Sequence, residues 1–302
     1  MKNSSKLDRR DFLKATSTLA IASAGILTLS PSVAAAAVDI SHKIKLAGDL
    51  RMFTQRMALS AAFVMLDVEK EHYLEVLTEE YHEFETDIAD LRNGDPKFSM
   101  APEENKFVLE AINTVEFGWK VLGPELKYVV DNRSIDDLHF NKIEKVNAQV
   151  MTLADSLIHR ILLEYKEGIP IDLANQIDVV GAQRMLSQKM IKEAILTALE
   201  FEAEAHHEML LGSMQLFQFG LDKLASKMLH NERLLPQLSA DLATELEKAN
   251  HCWAKLAPIL NKLDQTHTFD TADIKTLADE ADVMLSAFDK MSDILIHEAE
   301  LI

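Results

Sequence analysis

Apolar residues recur at spacings of three and four along nearly the whole chain, and no alternating stretch runs longer than four residues. That period belongs to the amphipathic helix and not to the strand. It predicts an all-α protein of eight helices in two sets of four. The first set covers roughly 41–68, 70–92, 103–130 and 135–166, and the second roughly 171–201, 203–230, 239–262 and 271–300. Asn93-Gly-Asp-Pro96 is a clear break, because glycine and proline both punctuate helices. Ser134-Ile-Asp-Asp137 carries an N-cap signal with acid in the first turn, and Thr271-Ala-Asp273 opens the last helix. Glu167-Gly-Ile-Pro170 stops one helix and restarts the next. Four antiparallel helices return the chain to the end where it entered. Two tandem antiparallel four-helix bundles forming a pseudo-twofold pair are therefore expected, with the first helix of each facing the other.

The pattern is also a repeat. Ile44, Gly48, Arg51, Met52, Gln55 and Met57 return as Ile177, Gly181, Arg184, Met185, Gln188 and Met190, with a constant offset of 133 (177 − 44, 184 − 51). The two tryptophans, Trp119 and Trp253, follow at 134 (253 − 119), each five residues before a proline, Pro124 or Pro258. Phe84, Ile88 and Leu91 find Phe217, Leu221 and Leu224 at 133. A period this long marks a duplicated domain and not a solenoid unit. The modules expected are 38–168 and 169–302.

Ile44, Gly48, Arg51, Gln55, Ala58, Ala62 and Met65 fall on one coiled-coil-like seam, and the second copy has the matching one. A glycine inside a helix costs about 1 kcal/mol relative to alanine. Close approach of the two first helices accounts for Gly48 and Gly181. Two arginines meeting across a pseudo-twofold repel and lose hydration unless something negative lies between them. A small planar oxyanion suits paired guanidiniums, and Gln55 and Gln188 add neutral donors one turn on. The competing arrangement pairs each arginine with a glutamate of its own bundle, which this acidic chain supplies freely. Arg56 and its counterpart Lys189 form a secondary pair, and Asp49 adds a negative charge that Ala182 lacks, so the site is expected to be lopsided.

Residues 1–37 read as a twin-arginine export signal. Arg9-Arg10-Asp-Phe12-Leu13-Lys14 precedes an apolar stretch from Ala15 to Leu29, and alanines near Ala35–Ala37 suit cleavage. That stretch is short and rich in Ala, Ser and Thr, so no membrane span is expected in the mature chain. The location expected is the periplasm. Net charge is −18, and removing a leader with five Lys/Arg and two Asp/Glu makes it −21, which argues against nucleic acid or an anionic membrane as partner. Cys252 is the single cysteine, so no internal disulfide forms.

Other constellations carry less. Glu69-x-x-His72, Glu79-x-x-His82 and Glu204-x-x-His207 have the spacing of di-iron bundle ligands but sit amid dense charge, so solvated surface is expected there. His206, His207 and His251 are the remaining metal candidates. Met52, Met57, Met185 and Met190 are read as packing. No nucleophile motif, phosphate loop or dinucleotide fingerprint occurs, so no catalysis, metal or cofactor is expected.

Ala47-Gly-Asp-Leu-Arg-Met-Phe-Thr-Gln-Arg-Met57 and Val180-Gly-Ala-Gln-Arg-Met-Leu-Ser-Gln-Lys-Met190 resemble the opening helix of the PilJ-type domain, the N-terminal module of type IV pilus methyl-accepting chemotaxis transducers. They are also similar to the signature helix of the NarX/NarQ nitrate/nitrite sensors. The resemblance implies that Arg51 and Arg184 contact nitrate at a twofold helix interface, flanked by Gly48 and Gly181. In those sensors the domain lies between two membrane helices and drives a kinase or chemoreceptor, and no such output module is recognisable here. The expected function is an exported sensor or binding protein for a small oxyanion, nitrate or nitrite first, read by an envelope partner such as a sensor kinase, chemoreceptor or oxidoreductase. The alternatives are a ligand-free adaptor that docks such a partner and, behind it, a metal-dependent bundle enzyme.

Overall fold

The computed structural model describes residues 31–225, 239–266 and 268–301. Within these the chain forms eight α-helices: α1 Pro31–Met65, α2 Lys70–Asn93, α3 Lys106–Asn132, α4 Asp137–Glu164, α5 Ile171–Ala198, α6 Ala203–Ala225, α7 Ala240–Thr266 and α8 Thr271–Glu300. A single 3-10 turn at Pro96–Phe98 follows α2. The expected leader falls mostly outside the described residues; its last residues, from Pro31, belong to α1, and Ala37 is buried. The expected end of the sixth helix, at 230, also lies outside them.

Local chemistry sets the helix ends. Asn105 accepts from the backbone N–H groups of Phe107 and Val108 to start α3. Asp136, two residues after the expected Ser134, caps α4 by accepting from His139. Asp270 and Asp273 form a reciprocal capping box on α8. Gly94, at φ 73°, ends α2 in a conformation that only glycine adopts cheaply.

The first helix of each half ends three residues short of the sequence expectation, in the same turn. Val68 N–H donates to Phe63 C=O and Asp67 to Val64; Phe201 donates to Leu196 and Glu200 to Thr197. This is the Schellman closure, with a left-handed residue at Asp67 (φ 57°) and at Glu200 (φ 57°). Glu69 and Glu202 are left-handed as well. Every one of these pairs is separated by 133 (200 − 67, 202 − 69), so the duplication extends to backbone conformation.

Each half closes as α1–α2–α3–α4 or α5–α6–α7–α8, with α1 on α2 and α4, and α5 on α6 and α8. The halves join chiefly through α1 against α5, with α8 also reaching α1. Leu50, Met57, Leu59, Phe63 and Ile191 are completely buried, and polar residues of the same helices such as Arg51, Gln55, Arg184 and Gln188 are buried with them, so the two first helices are enclosed on nearly every side. That all-round burial marks core helices. Trp119 lies 4.1 Å, centroid to centroid, from Phe84, and Trp253 lies 5.0 Å from Phe217. The repeated tryptophans thus tie the second and third helices of each half together.

Gly48 and Gly181 face one another at the α1–α5 crossing, where a Cβ on either would lie 4.0 Å from the Cα of the other. That is ordinary contact, so a single alanine fits. Gly48→Ala should stay within about 1 kcal/mol of wild type, whereas Gly48→Leu, which overfills the crossing, should cost about 1–3 kcal/mol in urea unfolding.

Candidate functional site

The two motif arginines meet at this crossing. Arg51, Arg184, Gly48, Gly181, Lys45 and Asp178 line one narrow gap that has no room for a water molecule. Arg51 Nη2 sits 3.5 Å from the Cβ position of Gly181; the glycine of one half makes space for the guanidinium of the other.

Both arginines are already neutralised. Arg51 Nη1 donates to Asp155 Oδ1 at 2.6 Å and Nη2 to Asp178 Oδ1 at 3.4 Å. Arg184 Nη2 pairs with Asp289 Oδ1 at 2.6 Å and Nη1 with Asp49. The arrangement is quasi-symmetric. Asp155 on α4 and Asp289 on α8 are equivalent at the drifted offset of 134 (289 − 155), and each serves the arginine of its own half. Asp178 on α5 and Asp49 on α1 serve the arginine of the opposite half. The crossed bonds differ because the charges differ. Asp178 occupies the position of Lys45 (178 − 45 = 133), and Lys45 in turn holds Asp49 at 3.0 Å.

The expectation that an anion is needed to keep the arginines together is therefore corrected: aspartates of the protein fill that role. Around the gap Lys45, Arg51 and Arg184 face five carboxyl groups, Asp49, Asp155, Asp178, Asp289 and Asp293. Arg184 is completely enclosed, and Asp289 and Asp49 raise its pKa against the cost of burial. Asp49 is held below its usual range by Arg184 and Lys45 despite desolvation. The Asp293 carboxyl is pushed up by burial.

Gln55 and Gln188 do not join the arginines; this part of the expected site is corrected as well. The helical turn that separates them from the arginines turns both side chains toward the fourth helices. The Gln55 amide meets the amide of Asn147 at 3.2 Å, and Gln188 Nε2 donates to Ala281 C=O at 3.1 Å. Asn147 and Ala281 are again equivalent (281 − 147 = 134). Arg56 donates to Gln188 Oε1 at 2.8 Å, pairs with Asp282, and lies 3.5 Å from Glu80. Its counterpart Lys189 donates to Ser213 Oγ at 3.0 Å, and Ser213 is the equivalent of Glu80 (213 − 80 = 133). Arg56 thus bridges to the second half while Lys189 stays within its own, and the secondary pair does not form one site.

Among the described residues no group of three or more His, Cys, Asp or Glu side chains is arranged to hold a metal. His72 contacts Asp282 at 2.7 Å and His207 contacts Asp264 at 2.9 Å, so each of these two is hydrogen-bonded to a partly exposed carboxylate. No described helix is long and apolar enough to cross a membrane. The Cys252 thiol is buried and pushed up to about 12, first by desolvation and then by Glu280.

Asp155, Asp178 and Asp289 were missed in the sequence as site residues. Asp155 and Asp289 carried a usable signal, since they recur with the same one-residue drift as the tryptophans. Asp178 carried none, because its counterpart has the opposite charge.

Duplicated four-helix halves joined through their first helices, with a buried charged seam between them, define a tandem helical-bundle module. The family model described as type IV pili methyl-accepting chemotaxis transducer N-term matches residues 35–140 and again 172–282. The chain belongs to this PilJ family, with two tandem copies of its domain. A search of curated proteins finds no match.

The two arginines should respond differently to removal. Arg184→Ala removes a buried guanidinium from Asp49 and Asp289, which are 8% and 17% exposed, and should cost about 3 kcal/mol in denaturant unfolding. Arg51→Ala frees aspartates that are 29% and 39% exposed and should cost about 1 kcal/mol.

Burial pushes Glu80 up to about 8, against the opposing effect of Arg56. A carboxyl raised in the folded state is favoured by folding when protonated, so its contribution is lost as pH climbs from the unfolded value of 4.5 toward 8. Glu80→Gln should remove about 2 kcal/mol of the loss in stability between pH 5 and 8, read as a flatter dependence of Tm on pH.

Proposed function

We propose that this chain is an exported, non-catalytic sensory module that acts through a partner protein in the cell envelope, a sensor kinase, chemoreceptor or oxidoreductase. The observation that carries this reading is the crossed ion pairing of Arg51 with Asp178 and Arg184 with Asp49. Each bond ties a first helix of one half to the first helix of the other. Breaking one side of the buried Arg184–Asp49 pair costs several kcal/mol, whereas the partly exposed Arg51–Asp178 bond is weaker, so the relative setting of α1 and α5 is held chiefly at Arg184. A partner that grips one half can read that setting. The filled arginines favour a docking role that needs no small ligand. Docking surface is available: Phe117 is 70% exposed on α3 and Phe219 is 55% exposed on α6.

A second reading keeps a small oxyanion, nitrate or nitrite, as the input at Arg51 and Arg184, with Gly48 and Gly181 beneath it. Three features support it. Both guanidiniums line one gap, Arg51 Nε has no partner, and its bond to Asp178 is the longer of the two and partly exposed. The anion would compete with Asp178 for Arg51 and so release one tie between the halves. Against it stand a gap too narrow for water and the excess of carboxyl groups around it.

Calorimetry separates the two. On the docking reading, nitrate and nitrite give no heat with the wild type or with Asp178→Asn. On the oxyanion reading, both bind, binding tightens several-fold in Asp178→Asn, and Arg51→Ala abolishes it. Photo-crosslinking in the native envelope from positions 117 and 219 tests the partner. Adducts with a signalling or redox protein are expected, and adducts of neither position with any other protein would overturn the proposal.

A further inference from the structure

The seam between the halves is closed on one side and open on the other. On the closed side α8 lies along α1 and is tied to α2. Tyr73 donates to Ala278 C=O at 3.1 Å, His72 meets Asp282 at 2.7 Å, Lys275 reaches Glu69 at 3.2 Å, and Arg56 of α1 pairs with the same Asp282. On the open side the equivalent residues cannot make these bonds. Ala205 and Ala148 stand where His72 and Asp282 stand, and Asn141 where Lys275 stands (205 − 72 = 133, 282 − 148 = 134, 275 − 141 = 134). α4 has no contact with α5 comparable to that of α8 with α1. A strip of α5 is left half-buried in consequence: Asp178, Ala182, Met185 and Lys189. Of their counterparts on α1, Asp49, Met52 and Arg56 are 5% exposed or less.

The strip floors a groove between α4 and α6. Spacings of three and four put Met209, Gly212, Leu216 and Phe219 on one face of α6. Leu216 is 59% exposed and Phe219 55%, and a Cβ on Gly212 would meet nothing within 4 Å. The same positions of α2 are Val76, Glu79, Glu83 and Thr86 (209 − 76 = 133, 219 − 86 = 133), so the apolar stripe belongs to this side alone. At the end of the groove nearest the α5–α6 turn a second cavity, of about 120 Å³, opens among Ala148, Met151, Lys189 and Met209. It is larger than a single water requires and shares no residue with the arginine gap. Its floor is charged, but Lys192 is already held by Glu144 at 3.1 Å and Glu193 at 3.3 Å.

We propose, resting on the docking reading above, that this groove seats an amphipathic helix of the envelope partner and that the helix carries a carboxylate for Lys189. Apolar side chains at helical spacing pack on Met151, Met185, Met209, Leu216 and Phe219, and flexible methionines suit such a surface. Charge sets the rest. Arg56 is met by Asp282 and Glu80. Lys189, its counterpart, has Ala148 and Ser213 in their places. It donates to Ser213 at 3.0 Å and finds a carboxylate, that of Glu193, only at 3.8 Å. A carboxylate from outside supplies what Asp282 supplies on the closed side. With Lys192 held, Lys145 and Lys189 outnumber Glu202 among the remaining charges at this end. A second copy of the chain is disfavoured, since pairing two α6 stripes brings together the acids that flank them, Glu204, Glu208 and Asp222. Walled by α4 of one half and α6 of the other, the seated helix reads the separation of the halves directly.

The test is photo-crosslinking of the full chain in its native envelope from position 216, with the peptide in the adduct sequenced. The expected adduct is a partner segment of helical apolar spacing with an Asp or Glu on the same face. Its yield should fall at least fivefold in Lys189→Glu and in Ala148→Asp, which installs the acid of the closed side beside Lys189, and should be retained in Lys189→Arg. Helical circular dichroism should be unchanged in all three. Reversing the partner's acid to lysine should restore the yield in Lys189→Glu. With adducts present at 117, four results would overturn this inference and leave the docking reading standing: no adduct at 216, an adduct with a second copy, a segment without an acid, or a yield that neither Lys189→Glu nor Ala148→Asp lowers. Silence at 117, 216 and 219 alike removes both.

Discussion

The cost of taking two guanidiniums out of water governs this molecule. Arg51 and Arg184 are buried in the crossing of α1 and α5, where an unpaired charge could not persist. Each is met by carboxylates from the fourth helix of its own half and the first helix of the other. The fold answers with one aspartate from each. Both requirements act together: Asp155 and Asp289 hold each arginine to its own bundle, while Asp178 and Asp49 hold the bundles to one another. The apolar surface around the crossing supplies the bulk of the burial energy, but it is indifferent to rotation and sliding. The ion pairs fix the register.

Quasi-symmetry extends well beyond the arginines. The closing turns after α1 and α5 repeat hydrogen bond for hydrogen bond, down to left-handed Asp67 and Glu200. At the described motif positions where the halves diverge, the change is chemical. Glu80 opposite Arg56 becomes Ser213 opposite Lys189, and Asn147 below Gln55 becomes the carbonyl of Ala281 below Gln188. The second cavity arises from one such divergence. Lys192, Glu193 and Glu144 have Leu59, Ser60 and Ala278 as their counterparts (192 − 59 = 133, 278 − 144 = 134), so the mirror-related place holds an apolar residue, a hydroxyl and a methyl instead of a charged floor.

Much of this was legible in the sequence, for physical reasons. Helix existence follows from apolar spacing, and the long helices were placed to within a few residues except where α1 reaches back to Pro31. The facing of Gly48 with Gly181 and the convergence of Arg51 with Arg184 followed from the repeat and the seam. What the arginines touch did not follow. Gln55 and Gln188 lie on the same linear seam as the arginines, yet the polar groups nearest them are Asn147 and the Ala281 carbonyl on the fourth helices, with Arg56 also donating to Gln188. The partners Asp155 and Asp289 are distant in sequence. Nothing in local spacing says which of the chain's 49 acidic residues ends up beside a given base. Their recurrence at 134 was the available clue. Asp178 could not be found that way, because it breaks the repeat.

That break has an evolutionary meaning. In a homodimer of identical halves, any residue placed at the position of Lys45 would appear twice, and so would its neighbour at the position of Asp49. The seam here instead sets Lys45 and Asp49 on one side against Asp178 and Ala182 on the other. Such a lock-and-key distribution is open only to two copies joined in one polypeptide and free to mutate separately. It makes α1 complementary to α5 and less suited to another α1, so the two halves of one chain select each other over the same half of a neighbouring molecule.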